Sequence, residues 1–267
     1  MLRKPAVAGQ FYSDNPELLK KELSRYLEGG AQVLPAIGIL VPHAGYVYSG
    51  SIAAEAYKSV EVPQTVVLLG PDHHGQGGQA TAFAAGAWQT PLGEVLIAED
   101  LASQLLADCD LLEANESAHR FEHSIEVQIP FLQMLCTNLR ILPISLGHGT
   151  LEDWLQLGRQ LGQSLKRWGE RVLLVASSDM NHFESAAHTE VVDREAIERM
   201  ENYDPAGLYT LVRQNNISMC GVIPAVVMLE AAAALGATSC RLLRYDHSGR
   251  VNGDLQSVVG YAALIVD

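Results

Sequence analysis

The sequence predicts a single-domain α/β fold with a central mixed, largely parallel sheet flanked by helices. Three observations carry this. Short apolar runs, Ile37 to Val41, Thr65 to Leu69, Ile141 to Leu146 and Val172 to Val175, have the length and composition of buried strands. Segments with helical spacing alternate with them, which is the pattern of a parallel sheet covered on both faces. Glycine- and proline-rich stretches then stop the runs and turn the chain. Candidate site residues come from early, middle and late in the 267 residues, which favours one domain.

Taken in order, Asn15-Pro16 reads as the start of a helix to about Leu27, ended by Gly29-Gly30. After the first strand, Ser49 or Ser51 is a cap for a helix over Ile52 to Val60. Gln79 to Ala84 and Glu94 to Ala98 read as short strands in a hairpin-like region that makes the sheet mixed, and Glu99 or Asp100 opens a helix through Leu106. In FEHSIEVQIPFLQML, Ile125, Ile129, Leu132 and Leu135 form a helical apolar face that Pro130 should kink. Leu151 to Trp168, Ala187 to Met200, a helix from Pro205, and one with Pro224 in its first turn running to Leu235 follow. Cys240 to Tyr245 and Ser257 to Val266 close the chain as strands.

Composition narrows the function. The formal charge of −13, from 18 basic and 31 acidic residues with no Lys/Arg stripe, argues against nucleic acid and anionic membranes as partners. No apolar run reaches the roughly 18 residues that span a bilayer, and no secretory signal is visible, so the expected compartment is the cytoplasm. Cys109, Cys136, Cys220 and Cys240 lack CxxC spacing and read as reduced thiols.

Chemistry collects at strand ends. His43 follows the first run in PHAG, His73 follows the second in LGPDHHG, and Asp179 and His182 follow the fourth in SSDMNHF. The carboxyl edge of such a sheet is where ligands bind. Three parallel placements point to one polar centre, read as a metal site with a small-molecule or peptide ligand. His73 and His74 are adjacent and cannot easily point the same way; Asp72 is placed to fix an imidazole tautomer. His182 is a ligand or a general base, with Asp179 orienting it; the alternative for Ser177-Ser178-Asp179 is a helix cap. In EHSIE, Glu122, His123 and Glu126 either line the site or make a capping arrangement with surface charge. Cys220 precedes a glycine and a helix start, where amide donors favour a thiolate; a buried inert cysteine is the commoner case.

PAVAGQFY, PHAGYVYSG, LGPDHHG, EHSIEVQIPFLQ, SSDMNHF and MCGVIP, in this order, resemble the Memo family, whose microbial members are also called AmmeMemoRadiSam system protein B. The resemblance runs from about Arg3 to the last strand. It implies a fold similar to class III extradiol dioxygenases, with His43, His73 and Cys220 as metal ligands. It also implies catalytic positions at His182, Asp179, His123 and Glu126, and association with AMMECR1-like and radical-SAM proteins. Two imidazoles and a thiolate suit copper or iron, with zinc as a further fit. The expected activity is a metal-dependent oxidoreductase; the alternatives are a peptide- or ligand-binding module and a zinc-dependent hydrolase or lyase.

Overall fold

A computed structural model describes residues 1–29 and 32–267, so Gly30 of the expected helix stop lies outside the described residues. The elements in chain order are β1 (Leu2–Arg3), α1 (Pro16–Leu27), β2 (Gly38–Val41), α2 (Tyr46–Tyr57), β3 (Thr65–Pro71), β4 (Ala80–Ala82), β5 (Ala87–Thr90), β6 (Gly93–Ile97) and α3 (Glu99–Asp108). There follow β7 (Leu112–Ala114), α4 (Ile129–Leu135), β8 (Arg140–Leu146), α5 (Leu151–Trp168), β9 (Val172–Ser177), β10 (His182–Glu184), α6 (Ala186–Glu201) and α7 (Pro205–Gln214). The chain closes with α8 (Val222–Leu235), β11 (Cys240–His247), α9 (Gly249–Asn252) and β12 (Val258–Val266).

Among the described residues the strands form one mixed sheet, with β6, β8, β3, β9 and β2 side by side and parallel. The antiparallel strand β12 continues it beyond β2, and β11 pairs with β12. The strand residues alternate between two cores. Leu40, Val67, Leu142 and Leu174 face α3, α5, α6, α7 and α8, whereas Ile39, Val66, Ile141 and Leu173 face α1, α2 and α4. Both faces are thus sealed, and the open chemistry is left at the strand ends. No helix among the described residues is long and apolar enough to cross a membrane.

Two helices start elsewhere than the sequence indicates. α2 begins at Tyr46, not at Ile52, because tertiary anchoring overrides the weak helix preference of Tyr-Val-Tyr. The Tyr46 amide donates to the Phe11 carbonyl and its hydroxyl to the Val127 carbonyl at 2.6 Å. Residues 121–125 are not helical, and α4 starts only at Ile129. Pro130 therefore occupies the first turn, where its missing N–H costs nothing, and makes no kink. The short strands β1, β5, β7 and β10 have no legible signal in the sequence, since each is four residues or fewer.

Candidate metal centre

The central strands deliver the site by position. β3, β9 and β2 are neighbours, and His73, Asp179 and His43 each stand two residues beyond a strand end, at Pro71, Ser177 and Val41. The non-helical turn 121–125 brings in His123. It lies against β3 because Gly70 has no side chain: a Cβ there would stand 2.5 Å from Ser124 Oγ and 2.6 Å from Ile125 Cγ1. Gly221 does the same for Cys220, since a Cβ would overlap the Ser177 carbonyl and Ser178.

His43, His73 and His123 each offer a ring nitrogen within 4.8 Å of the others. Their ring centroids lie 4.7 to 5.4 Å apart, with His43 edge-on to the other two. Hydrogen bonds fix which nitrogen of His43 is unprotonated. Ser177 Oγ donates to the Ser124 carbonyl at 2.7 Å, so its oxygen is left to accept. Gln128 Nε2 donates to it at 2.9 Å, and His43 Nδ1 stands at 2.9 Å. Nδ1 must therefore carry the proton, and the unprotonated Nε2 stands 3.2 Å from Cys220 Sγ. For His73 the same role falls to Glu122, whose Oε1 is 2.9 Å from Nδ1 and whose Oε2 accepts from the His73 amide at 2.8 Å. A carboxylate behind an imidazole in this way orients a metal-binding histidine and raises its basicity.

Protonation follows the surroundings. Burial, then the neighbouring imidazoles, hold His43 well below the usual histidine value, and burial holds His123 at about 4 despite Glu122. Burial alone would lower His73, but the hydrogen bond and charge of Glu122 win and hold it above the usual value. Burial would raise Glu122; His73 and the Ser124 amide outweigh it and hold this fully buried carboxylate far below the carboxylate range. Asp179 has no such cation. Burial pushes it up to about 7, although the His43 amide donates to its Oδ1 at 2.7 Å.

The cleft over these groups measures about 470 Å³, and Phe11, Tyr48 and His182 complete its wall. His182 Nδ1 is 2.8 Å from the Ser218 carbonyl, so Nδ1 donates and Nε2 is bare. A register shift in the β10–β12 pairing and a left-handed Phe183 (φ 62°) separate the two side chains. Phe183 is 76% exposed while His182 lines the cleft.

The remaining expectations fall out as follows. Cys220 Sγ stands 3.2 Å from His43 Nε2, outside the group of three imidazoles. Its thiol is pushed up by burial and then by Asp179, so the helix-start amides do not make it a thiolate here. Glu126 is not in the cleft. It is fully buried and accepts from Arg3, from the amides of Ala6 (2.7 Å) and Val7 (3.0 Å), and from the Tyr12 hydroxyl (2.8 Å), which fixes the N-terminal segment. The Asp72 carboxylate takes loop amides, Gly77 at 2.8 Å and His74 at 3.1 Å, so it orients no imidazole. His74 turns outward, with Nε2 3.1 Å from the Phe121 carbonyl. Ser177, which the sequence offers only as part of a helix cap, orients the His43 imidazole with Gln128, and Ser218 orients His182; neither Gln128 nor Ser218 carries a sequence signal. All four cysteines are free.

A family model described as Memo-like protein matches residues 3–265. A MEMO1 family protein of Methanosarcina barkeri is 42% identical over 268 residues, 100% of both chains. One from Aquifex aeolicus is 43% identical, covering 99% of this chain and 98% of that one. The crystal structure of an uncharacterized protein from Escherichia coli K12 matches with a TM-score of 0.54 over 84% of this chain and 98% of that chain. At 13% identity that likeness is one of fold. With the family pattern running over nearly all of its length, this chain belongs to the Memo-like family.

Proposed function

We propose that His43, His73 and His123 hold a transition-metal ion at the floor of the cleft, and that the protein is a metal-dependent redox enzyme acting on a small molecule. The observation that carries this is the convergence of three ring nitrogens within 4.8 Å, with the proton of His43 turned away by Ser177 and His73 backed by Glu122. Metal–nitrogen bonds of about 2.0–2.1 Å place three ligand atoms closer together than this limit, so small ring rotations separate this arrangement from a bound one. Imidazole donors suit copper, iron and zinc. Cys220, beside His43, is the further donor, and its thiol loses its proton on joining. The bound ion would supply Lewis-acid polarisation and, as copper or iron, a one-electron couple.

The chain's own groups move the protons. His182 presents a bare Nε2 to the cleft, and burial lowers its pKa, so it is neutral at pH 7 and accepts a proton from a bound molecule. Burial lifts Asp179 to about 7, so its carboxyl exchanges a proton near neutrality. Phe11 and Tyr48 narrow the cleft and limit water.

The test is metal content of untagged protein and anaerobic calorimetry with Zn(II), Fe(II) and Cu(I). His123→Ala should weaken binding by at least about 100-fold, the upper end of what loss of a supporting group alone produces. Cys220→Ser should weaken Cu(I) more than Fe(II), because thiolate is the soft donor. Wild-type affinity in His123→Ala would remove this centre and leave a polar ligand cleft.

A further inference from the structure

A second cavity lies apart from the metal cleft. It measures about 730 Å³ and opens between residues 1–6 and residues 116–121. Its inner wall is apolar, with Phe83 fully buried and Leu2 and Phe121 partly open to solvent at 42% and 51%. Its charges run against the rest of the chain. Lys4 and Arg120 stand on the rim, exposed, and neither has an ion-pair partner among the described residues, whereas Arg140, Arg167 and Arg171 are paired. The Arg120 guanidinium lies 5.2 Å over the Phe121 ring, which leaves its N–H edges free. Arg3 adds no free charge, since Glu126 takes it; Glu116 is the one carboxylate in the wall. Two unpaired cations over an aromatic wall, in a chain of net charge −13, concentrate positive potential at this mouth.

We propose that this cavity is a second ligand site, taking a small molecule with a carboxylate, sulfonate or phosphate on an apolar body. The volume falls within the roughly 300–1,000 Å³ of small-molecule sites. The apolar body would lie against Phe83 and Phe121, and the anion would meet Arg120 and Lys4 with charge-assisted hydrogen bonds. The wall is preformed. Arg3 Nε donates to the His119 carbonyl at 2.8 Å and Arg3 Nη2 to the Glu122 carbonyl at 2.7 Å. The site shares no lining residue with the metal cleft, and it does not depend on a metal being bound there.

The probe is 8-anilinonaphthalene-1-sulfonate, followed by fluorescence on the full chain. Wild type should bind it saturably at one site. Lys4→Glu/Arg120→Glu should weaken it by about tenfold or more, and Arg120→Gln by less. Both positions are exposed, so a thermal-unfolding control should show folded variants. The uncharged N-phenyl-1-naphthylamine should bind about tenfold more weakly than the sulfonate. Val47→Glu, at an exposed position that lines the metal cleft, should leave sulfonate binding unchanged. Equal binding by the charge-reversed variants or by the neutral naphthylamine would overturn the anion site. Loss of the signal in Val47→Glu would place the probe in the metal cleft and overturn the assignment, as would the lack of saturable binding in wild type.

Discussion

Glu122 and Glu126 are four residues apart and both fully buried, yet they serve different ends. Glu122 holds an imidazole of the site and the amides of His73 and Ser124. Glu126 holds Arg3, Tyr12 and two amides of the N-terminal segment. The first is a positioning group whose loss is felt by a ligand; the second is a strap whose loss is felt by the whole fold. Asp193 is a third case. Among the described residues it is buried with only the Asn181 amide (2.9 Å) and the Tyr245 hydroxyl (2.8 Å) as donors and no ion-pair partner, and burial pushes it up to about 6. The same carboxylate chemistry thus gives three outcomes, decided by what donates to it.

The largest effect is expected where a charge would be stranded. Arg3→Ala removes the cation facing Glu126 and leaves a buried carboxylate with only amides and a phenol. The expected loss is about 3–5 kcal/mol of unfolding free energy, read by urea denaturation. Metal affinity of the folded fraction should stay within about threefold of wild type, below the effect expected of a group supporting a ligand. A larger drop in affinity would show that the strap also shapes the site and would erase the distinction drawn above.

Asp193 should show its lack of a cation as a pH slope. Its folded pKa of about 6 lies above the unfolded value near 3.8. The stability from this raised pKa is present below the unfolded value and is lost as pH rises through about 6. The difference amounts to about 3 kcal/mol between pH 3.5 and 7.5. Asp193→Asn disturbs one of the two hydrogen bonds at every pH, so the absolute stability decides nothing. The slope does: wild type minus variant should fall by about this amount over the range, measured by denaturation at stepped pH. A flat difference would mean that Asp193 stays ionised in the fold.

Much of this was legible, and the limit is physical. A run of apolar residues followed within four positions by His or Asp marks a strand end, and β2, β3 and β9 obey that pattern. Helices with side-chain caps were also readable: Asn15 accepts from the Glu17 and Leu18 amides, and Thr150 with Asp153 forms a capping box. The EHSIE stretch could not be resolved from spacing. An i,i+4 pair of glutamates suggests one helical face, but Gly70 admits a tight turn there, only a short 3-10 turn forms over Glu126–Gln128, and the α-helix starts at Ile129. Which glutamate serves the site depends on Arg3, 123 residues away from Glu126, and on His73, 49 residues away from Glu122. Ser177 was hidden for the same reason, since its role comes from the Ser124 carbonyl and Gln128 across the fold. Long-range hydrogen-bond partners leave no periodicity to read.

The smallest of the expected effects is the most informative about the metal centre. In Glu122→Gln the carbonyl oxygen of the amide can still accept from His73 Nδ1 or from the amides, but its NH2 group faces a donor that once met an oxygen. Positioning of His73 weakens and the charge that raises its basicity is gone. Loss of a supporting group of this kind lowers metal affinity by about 10–100-fold, equivalent to about 1.4–2.7 kcal/mol. In the metal-free protein the His73 imidazole should titrate lower in the variant, because Glu122 is what holds it above the usual value. Zn(II) calorimetry and the His73 ring resonances in an NMR pH titration read the two consequences separately. A lower His73 pKa with unchanged zinc affinity would leave Glu122 as the partner of His73 but take His73 out of the metal set. The centre would then have to be built from His43, His123 and Cys220.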